Sequence, residues 1–231
     1  MREILEAGLP ALGIDVSCIS NLEKFSTMLL EKNQVMNLTA ITEPAQVATL
    51  HLLDSLSVLR GADFSGRRVV DVGTGAGFPG MPLAIARSDV SVTLLDSLGK
   101  RVRFLEEARQ ALGLANVTCV HGRAEEFAGD HRESFDIAVS RAVANLSVLC
   151  ELCLPLVRVG GVFLAMKSTG CEAEVDAARR AIRLLGGALR ESLDYVIPGT
   201  DVTHRLVVIA KVSPTPKKYP RAFAQIKKQP L

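Results

Sequence analysis

The sequence predicts a doubly wound α/β fold, a seven-stranded and mostly parallel sheet behind an N-terminal helical cap. Three observations carry this. From Arg67 onward, β-branched runs alternate with helical periodicity, the βαβ texture of a sheet covered on both faces. Residues 69–80 (Val69-Val70-Asp71-Val72-Gly73-Thr74-Gly75-Ala76-Gly77-Phe78-Pro79-Gly80) read as a buried strand running through a glycine loop into a helix. Residues 3–60 carry helical spacing instead.

In the cap, Ile19, Leu22, Phe25 and Leu29 fall on one face of a helix over 14–35. Asn37-Leu38-Thr39-Ala40 breaks the pattern, and Pro44 starts a second helix with Val47, Leu50, Leu53, Leu56 and Leu59, ended by Gly61. His51, Asp54 and Ser55 lie three and four residues apart and share a face, although a lone helical histidine is more often a hydrogen-bonded structural residue. Strands are expected near 68–72, 90–95, 116–120, 135–140, 160–166, 190–196 and 204–211, with helices near 79–87, 99–112, 143–157 and 171–186. Gly113, Gly160-Gly161 and Gly186-Gly187 mark turns or helix ends. The expected organisation is a cap over 1–62, an α/β domain over 63–212 and a basic tail over 213–231.

The glycine loop points to a cofactor. Gly73, Gly75 and Gly77 let the backbone take positive φ and approach a ligand closely. Gly75 to Gly80 matches the dinucleotide pattern literally, but the strand ends at Val72, so the loop reads D-x-G-x-G-x-G from Asp71. A pyrophosphate needs free N–H groups at the helix start, where Phe78 crowds the site and Pro79, expected in the first helical turn, has none. The next strand ends in Asp96, placed to take both hydroxyls of a ribose. This combination resembles class I S-adenosylmethionine (SAM) methyltransferases, a Rossmann-like class. NAD and a purely structural turn stand as alternatives.

Composition narrows the setting. With 231 residues, 48% hydrophobic and 23% charged, the chain is long enough for one good core. No apolar run is long enough to span a bilayer and Met1–Pro10 lacks a signal-peptide core, so a cytoplasmic protein is expected. Cys18, Cys119, Cys150, Cys153 and Cys171 are odd in number and scattered; the one C-x-x-C pair lies in a helical pattern, so reduced buried thiols and no metal are expected. The net charge of +2 hides an asymmetry: residues 211–231 hold six basic and no acidic residues, leaving 21 basic against 25 acidic elsewhere. Such a tail suits a polyanion, although a solvated tail is commoner.

In a doubly wound sheet the ligand lies over the carboxyl ends of the strands. That rule selects Asp96-Ser97 with Lys100-Arg101, Arg123-Ala124-Glu125, Ser140-Arg141-Ala142 and Lys167-Ser168; the resemblance to class I enzymes then implies that Glu125 sits where the adenine is contacted and Arg141 where the methyl group would be delivered. The fourth edge, Val139-Ser140-Arg141-Ala142-Val143, lacks the N/D-P-P-Y/F of amino-group methyltransferases, and no Pro-Cys dipeptide exists to supply a thiolate nucleophile. A ring nitrogen with an in-plane lone pair suits this edge. Guanine N7 carries no proton, so its alkylation requires alignment and exclusion of water but no general base. Arg141 can bond guanine O6, steer a phosphate, or simply close the loop as an ion pair.

With these residues placed, nearly the whole chain resembles the bacterial RsmG (GidB) family. The resemblance rests on Asn37-Leu38-Thr39, His51-x-x-Asp54-Ser55, the run Asp71 to Gly80, Leu95-Asp96-Ser97, Lys100-Arg101, Arg123-Ala124-Glu125, Ser140-Arg141-Ala142 and Lys217-x-Tyr219-Pro220-Arg221. It implies SAM-dependent methylation of N7 of a guanine, position 527, in 16S rRNA, as naked RNA or within an assembling small subunit, by a cytoplasmic monomer. It further implies that Gly73, Gly75, Phe78, Asp96, Ala124, Glu125 and Arg141 line the SAM pocket, with Arg141 also at the target base. His51, Asp54, Lys100, Arg101, Lys167, Arg205, Lys217 and Arg221 would face RNA. After Arg221 many members continue with glycine and proline, where this chain has Ala222-Phe223-Ala224. The rival readings are a methyltransferase of small molecules or proteins, an NAD-dependent oxidoreductase and a non-catalytic RNA-binding module.

Overall fold

The computed structural model describes residues 1–141 and 144–231. Ala142 of the Ser140-Arg141-Ala142 segment and Val143, the expected start of a helix, lie outside the described residues. Val-, Ile- and Leu-rich runs form one sheet of eight strands: β1 (Arg68–Val72), β2 (Ser91–Asp96), β3 (Val117–His121), β4 (Phe135–Arg141), β5 (Val157–Ser168), β6 (Gly187–Leu189), β7 (Leu193–Val196) and β8 (Thr203–Lys211). Their order is β3-β2-β1-β4-β5-β8-β6, with β7 also on β8. The first five are parallel; β8 runs antiparallel to β5, β6 and β7. The order reverses between β1 and β4, which opens a crevice over their carboxyl ends. There the pairing Asp71↔Val139 carries Gly73 and Arg141 to the same edge.

Where one strand is expected over 190–196 the structure has two, β7 within that range and β6 ahead of it, beginning at Gly187, which is expected as a turn or helix end. From Leu189 to Leu193 the edge takes four steps while its partner β8 takes three, from Ile209 to Leu206. The extra residue is a bulge in Arg190-Glu191-Ser192, a polar run whose Arg190 and Glu191 side chains reach solvent while Leu189 and Leu193 stay on the sheet.

Helices flank the sheet. The cap contributes α1 (Arg2–Gly8), α2 (Ile19–Met36) and α3, a continuous helical segment over residues 44–61 whose middle, Val47–Leu53, is π-helical. The domain adds α4 (Gly80–Ala86), α5 (Gly99–Leu112), α6 (Ala124–Asp130), α7 (Leu146–Cys153) and α8 (Glu172–Leu184), and the C-terminal segment adds α9 (Phe223–Lys228). The expected helix over 143–157 ends at Cys153, because Pro155 belongs to a 3-10 turn and β5 begins at Val157. Two cores result. On one face Leu22, Phe25, Leu29 and Leu52 of the cap pack with Leu94, Leu164 and Leu206 of the sheet. On the other, Leu149 and Ile182 pack with Val207, Tyr219 and Ile226. The cap is therefore continuous with the main core. Among the described residues no helix is long and apolar enough to cross a membrane.

Candidate active site

The glycine loop turns back on itself. Gly73, Gly75 and Gly77 have φ of 71°, 62° and 102°, conformations that a side chain rarely adopts. The amides of Gly73 and Thr74 donate to Leu95 O, and those of Gly77 and Phe78 donate to Thr74 O. Gly75 N donates to Asp96 Oδ2 at 2.9 Å. Most of the donors that a phosphate would need are thus consumed internally, which weighs against a dinucleotide. The loop still accepts a close ligand, since a Cβ built on Gly75 meets only Gly73 O, at 4.0 Å. Helix α4 starts at Gly80, so Pro79 precedes it and does not lie in its first turn. Gly80 N donates to Asp71 Oδ2 at 2.8 Å, and a Cβ there would collide with that oxygen. Asp71 is fully buried and its Oδ1 has no partner among the described residues; burial pushes its carboxyl up to about 6.

Beside the loop lies a cleft of about 550 Å³ lined by Thr39, His51, Gly73, Gly75, Phe78, Asp96, Arg101 and Arg141, among others. Asp96 is 4% exposed and closes the end of β2, its Oδ1 accepting from Leu98 N at 2.8 Å. Each of its oxygens keeps a lone pair for a ligand hydroxyl. A side recess of about 120 Å³ continues past Asp96, between Arg123, Ala124, Glu125, Leu152 and Phe223.

Arg141, at the end of β4, is the most constrained polar side chain of the site. Its Nη1 donates to Asp54 Oδ2 at 2.8 Å and to Leu50 O at 3.1 Å, and its Nη2 donates to His51 Nδ1 at 3.2 Å. Its guanidinium lies 4.9 Å from the centre of the Phe78 ring, which stacks on His51 at 4.5 Å. Because a guanidinium only donates, His51 Nδ1 accepts and Nε2–H donates to Thr39 Oγ1, at 2.7 Å. Thr39 is held in turn: Asn33 Oδ1 accepts from the amides of Leu38 and Thr39, and Asn37 turns the chain with φ of 46°. Burial, and then the charge of Arg141, press the His51 imidazole down to about 4, so it is neutral near pH 7.

Asp54 corrects an expectation. The resemblance implies that it faces RNA, yet it is 1% exposed, because Arg141, Tyr195 and His204 close around it. Tyr195 Oη and His204 Nδ1 donate to its Oδ1 at 2.9 and 2.8 Å. Burial alone would raise this carboxyl, but the hydrogen bond from His204 and the charge of Arg141 outweigh it and hold Asp54 below the usual carboxylate range. The same bond raises the His204 imidazole. On this side of Arg141 a second pocket of about 670 Å³ opens, lined by Ile41, Leu50, Met166, Lys167, Glu174 and His204 among others. Arg141 and His51 line both chambers.

Other expected RNA contacts fall differently. Lys167 points its Nζ to Ala144 O (2.8 Å) and Glu174 (2.6 Å) within the second pocket. Arg205 is tied up by Glu172 and Asp194. Arg221, also expected to face RNA, serves the interior: Glu151 is fully buried and accepts from Arg221 N, Nε and Nη2 at 2.9, 2.8 and 2.6 Å. Arg101 lies at the mouth of the cleft, 3.5 Å from Asp96. Lys100 and Lys217 are exposed, with no ion pair among the described residues. Sequence reasoning missed Tyr195, His204 and Phe223, which stand far along the chain from the residues they serve.

Solved structures of the same architecture include a methyltransferase. A SAM-dependent O-methyltransferase from Thermotoga maritima superimposes with a TM-score of 0.54 at 18% identity, covering 82% of this chain and 73% of that one. TrmN from Thermus thermophilus gives 0.53 at 24% identity, over 68% and 48%. The fold is that of the SAM-dependent methyltransferases, and SAM is the cofactor. A family model described as rRNA small subunit methyltransferase G matches residues 18–194. Ribosomal RNA small subunit methyltransferase G of Alkaliphilus metalliredigens is 47% identical over 235 residues, covering 100% of this chain and 98% of that protein. Its counterpart from Clostridium tetani is 44% identical, over 95% and 93%. This chain belongs to the rRNA small subunit methyltransferase G family.

Proposed function

We propose that the chain methylates N7 of one guanine in small-subunit ribosomal RNA, guanine 527 by the family resemblance, as a cytoplasmic monomer. The observation that carries this reading is Arg141, a single fixed guanidinium standing as the common wall of the loop-side cleft and the second pocket. The loop-side cleft fits the cofactor: Asp96 offers acceptors to a ribose, the peptides of Gly73 and Gly75 permit close approach, and Ala124 and Glu125 border the recess for the adenine end. Bound there, SAM supplies a methyl group on a sulfonium.

The chain's own residues then position and exclude. With Nη1 committed to Asp54 and Leu50 and one Nη2 hydrogen to His51, Arg141 has, among the described residues, its Nε–H and one Nη2–H left for an acceptor such as guanine O6, which lies beside N7. Asp54 balances the guanidinium, and His51, kept neutral, adds no second cation where positive charge passes to the base. Ile41, Leu50 and Met166 give the second pocket an apolar lining that displaces water. Attack through N7 asks no residue to take a proton. Lys100 and Lys217 are left to meet phosphates.

The test is to map N7-methylguanosine in 16S rRNA by aniline cleavage, with and without this protein in cells. A single cleavage lost, and restored by purified protein with SAM, supports the reading; an unchanged pattern overturns it. One observation favours a second reading. The Asp54–His204 pair has the arrangement of an acid–base dyad, which would suit a proton-bearing acceptor. In that case turnover would follow the titration of His204, whereas N7 transfer holds kcat level across it.

A further inference from the structure

The residues after β8 form a fastened strap. Lys211, fully buried, donates to Leu154 O and Thr215 Oγ1 at 2.6 and 2.7 Å, and Thr215 Oγ1 donates to Leu185 O at 2.7 Å. Arg132 donates to Tyr219 O at 2.8 Å and Pro216 O at 3.0 Å. Tyr219 and Ile226 insert into the core around α7, and Glu151 clamps Arg221 by three hydrogen bonds. Two residues beyond that clamp, at the start of α9, Phe223 reaches the recess beyond Asp96. There it faces a pocket shared with Leu95, Ala124, Glu125 and Leu152, and the Arg123 guanidinium lies 5.7 Å from its ring centre.

We propose that Phe223 is a cofactor-positioning residue: the strap delivers its ring as one wall of the adenine recess, so that the base is held between the C-terminal segment and the β3–α6 turn. The strap borders the crevice floor at this recess, whose lining sets the apolar side chains of Val72, Leu95, Ala124, Leu152 and Phe223 beside the polar groups of Asp96, Ser97, Arg123 and Glu125, a mix that suits a flat aromatic base with polar edges. The tail thereby serves the cofactor before it serves any RNA. The inference rests on the SAM assignment and not on the RNA acceptor, and no RNA enters its test.

Calorimetry on the full chain would compare two ligands, S-adenosylhomocysteine and 5′-methylthioadenosine, which share the adenosine and differ in the amino-acid arm. Phe223→Ala is expected to weaken both by the same factor, roughly tenfold, as for loss of one base-stacking aromatic ring. Phe223→Tyr should restore both, and Phe223→Leu, which keeps bulk without a π face, should fall between. Thermal melting of the ligand-free variants identifies any loss of fold, in which case Phe223→Leu decides. Unchanged affinities in Phe223→Ala, or a loss confined to S-adenosylhomocysteine, would overturn the assignment.

Discussion

The two chambers that meet at Arg141 draw on the chain in different ways. The cofactor cleft takes its loop and its floor from two consecutive strand ends, Val72–Phe78 and Asp96–Leu98, and its polar contacts are mostly backbone. The second pocket is gathered from six separate stretches of the chain, around Ile41, Asp54, Arg141, Lys167, Glu174 and His204, and is held by side-chain charges around one buried carboxylate. The first is a backbone shape; the second is an electrostatic assembly. They should therefore fail in different ways.

The largest effect is expected from the buried carboxylates. Asp54→Ala leaves the Arg141 guanidinium without its counter-ion, and a broken buried pair costs about 3–5 kcal/mol, read as a lower urea midpoint. Methyl transfer should be lost with it. Arg221→Ala should cost a similar amount by stranding Glu151, with no selective loss of RNA affinity. If Arg221→Ala instead weakens RNA binding at unchanged stability, its place in the interior is refuted.

Next comes the loop. Gly75→Ala places a side chain at φ of 62°, at a cost of about 1–2 kcal/mol, and directs a methyl group into the open cleft. Cofactor affinity measured by calorimetry should fall by about tenfold or more, while the Asp54 network keeps its titration.

The two histidines across Arg141 should titrate in opposite directions. His51 is depressed to about 4, so the unfolded chain binds more protons between about 6.5 and 4, and stability from this residue is lost as pH falls through that window. His204 is raised, so its contribution is complete below its ordinary value near 6.5 and is lost as pH rises through the folded-state value. Proton NMR of the imidazoles reads both, and His204→Gln should abolish only the second bend. The smallest effect concerns phosphate steering: Lys100→Ala and Lys217→Ala should each flatten the salt dependence of RNA binding by about one unit of slope, without changing SAM affinity.

The same contrast explains what could be read from the residues alone. Asp71, the three loop glycines and Asp96 announce their roles because the signal is contiguous and the backbone conformation demands particular residue types. Arg141 was reached because strand ends are a local landmark. Tyr195 and His204 were not, because their meaning comes from Asp54, 141 and 150 residues away. The resemblance set Arg205 and Arg221 against RNA, and no local signal announces the carboxylates that pair with them, Glu172, Asp194 and Glu151, because these stand elsewhere in the chain. Strand β6 is not legible because Gly186-Gly187 carries the signal of a turn, and Arg190-Glu191-Ser192 has no glycine or proline to mark the bulge that follows it.

One consequence concerns modularity. Helix α3 looks like part of a detachable appendage, yet its His51 lines both chambers and its Asp54 supplies the counter-charge for a residue of β4. A chimera joined near residue 62, with its cap from one relative and its sheet from another, would therefore recombine a single charge network. Such a recombinant keeps its chemistry only where the donor cap matches the recipient at Arg141, Tyr195 and His204, so the cap and the sheet work as one unit.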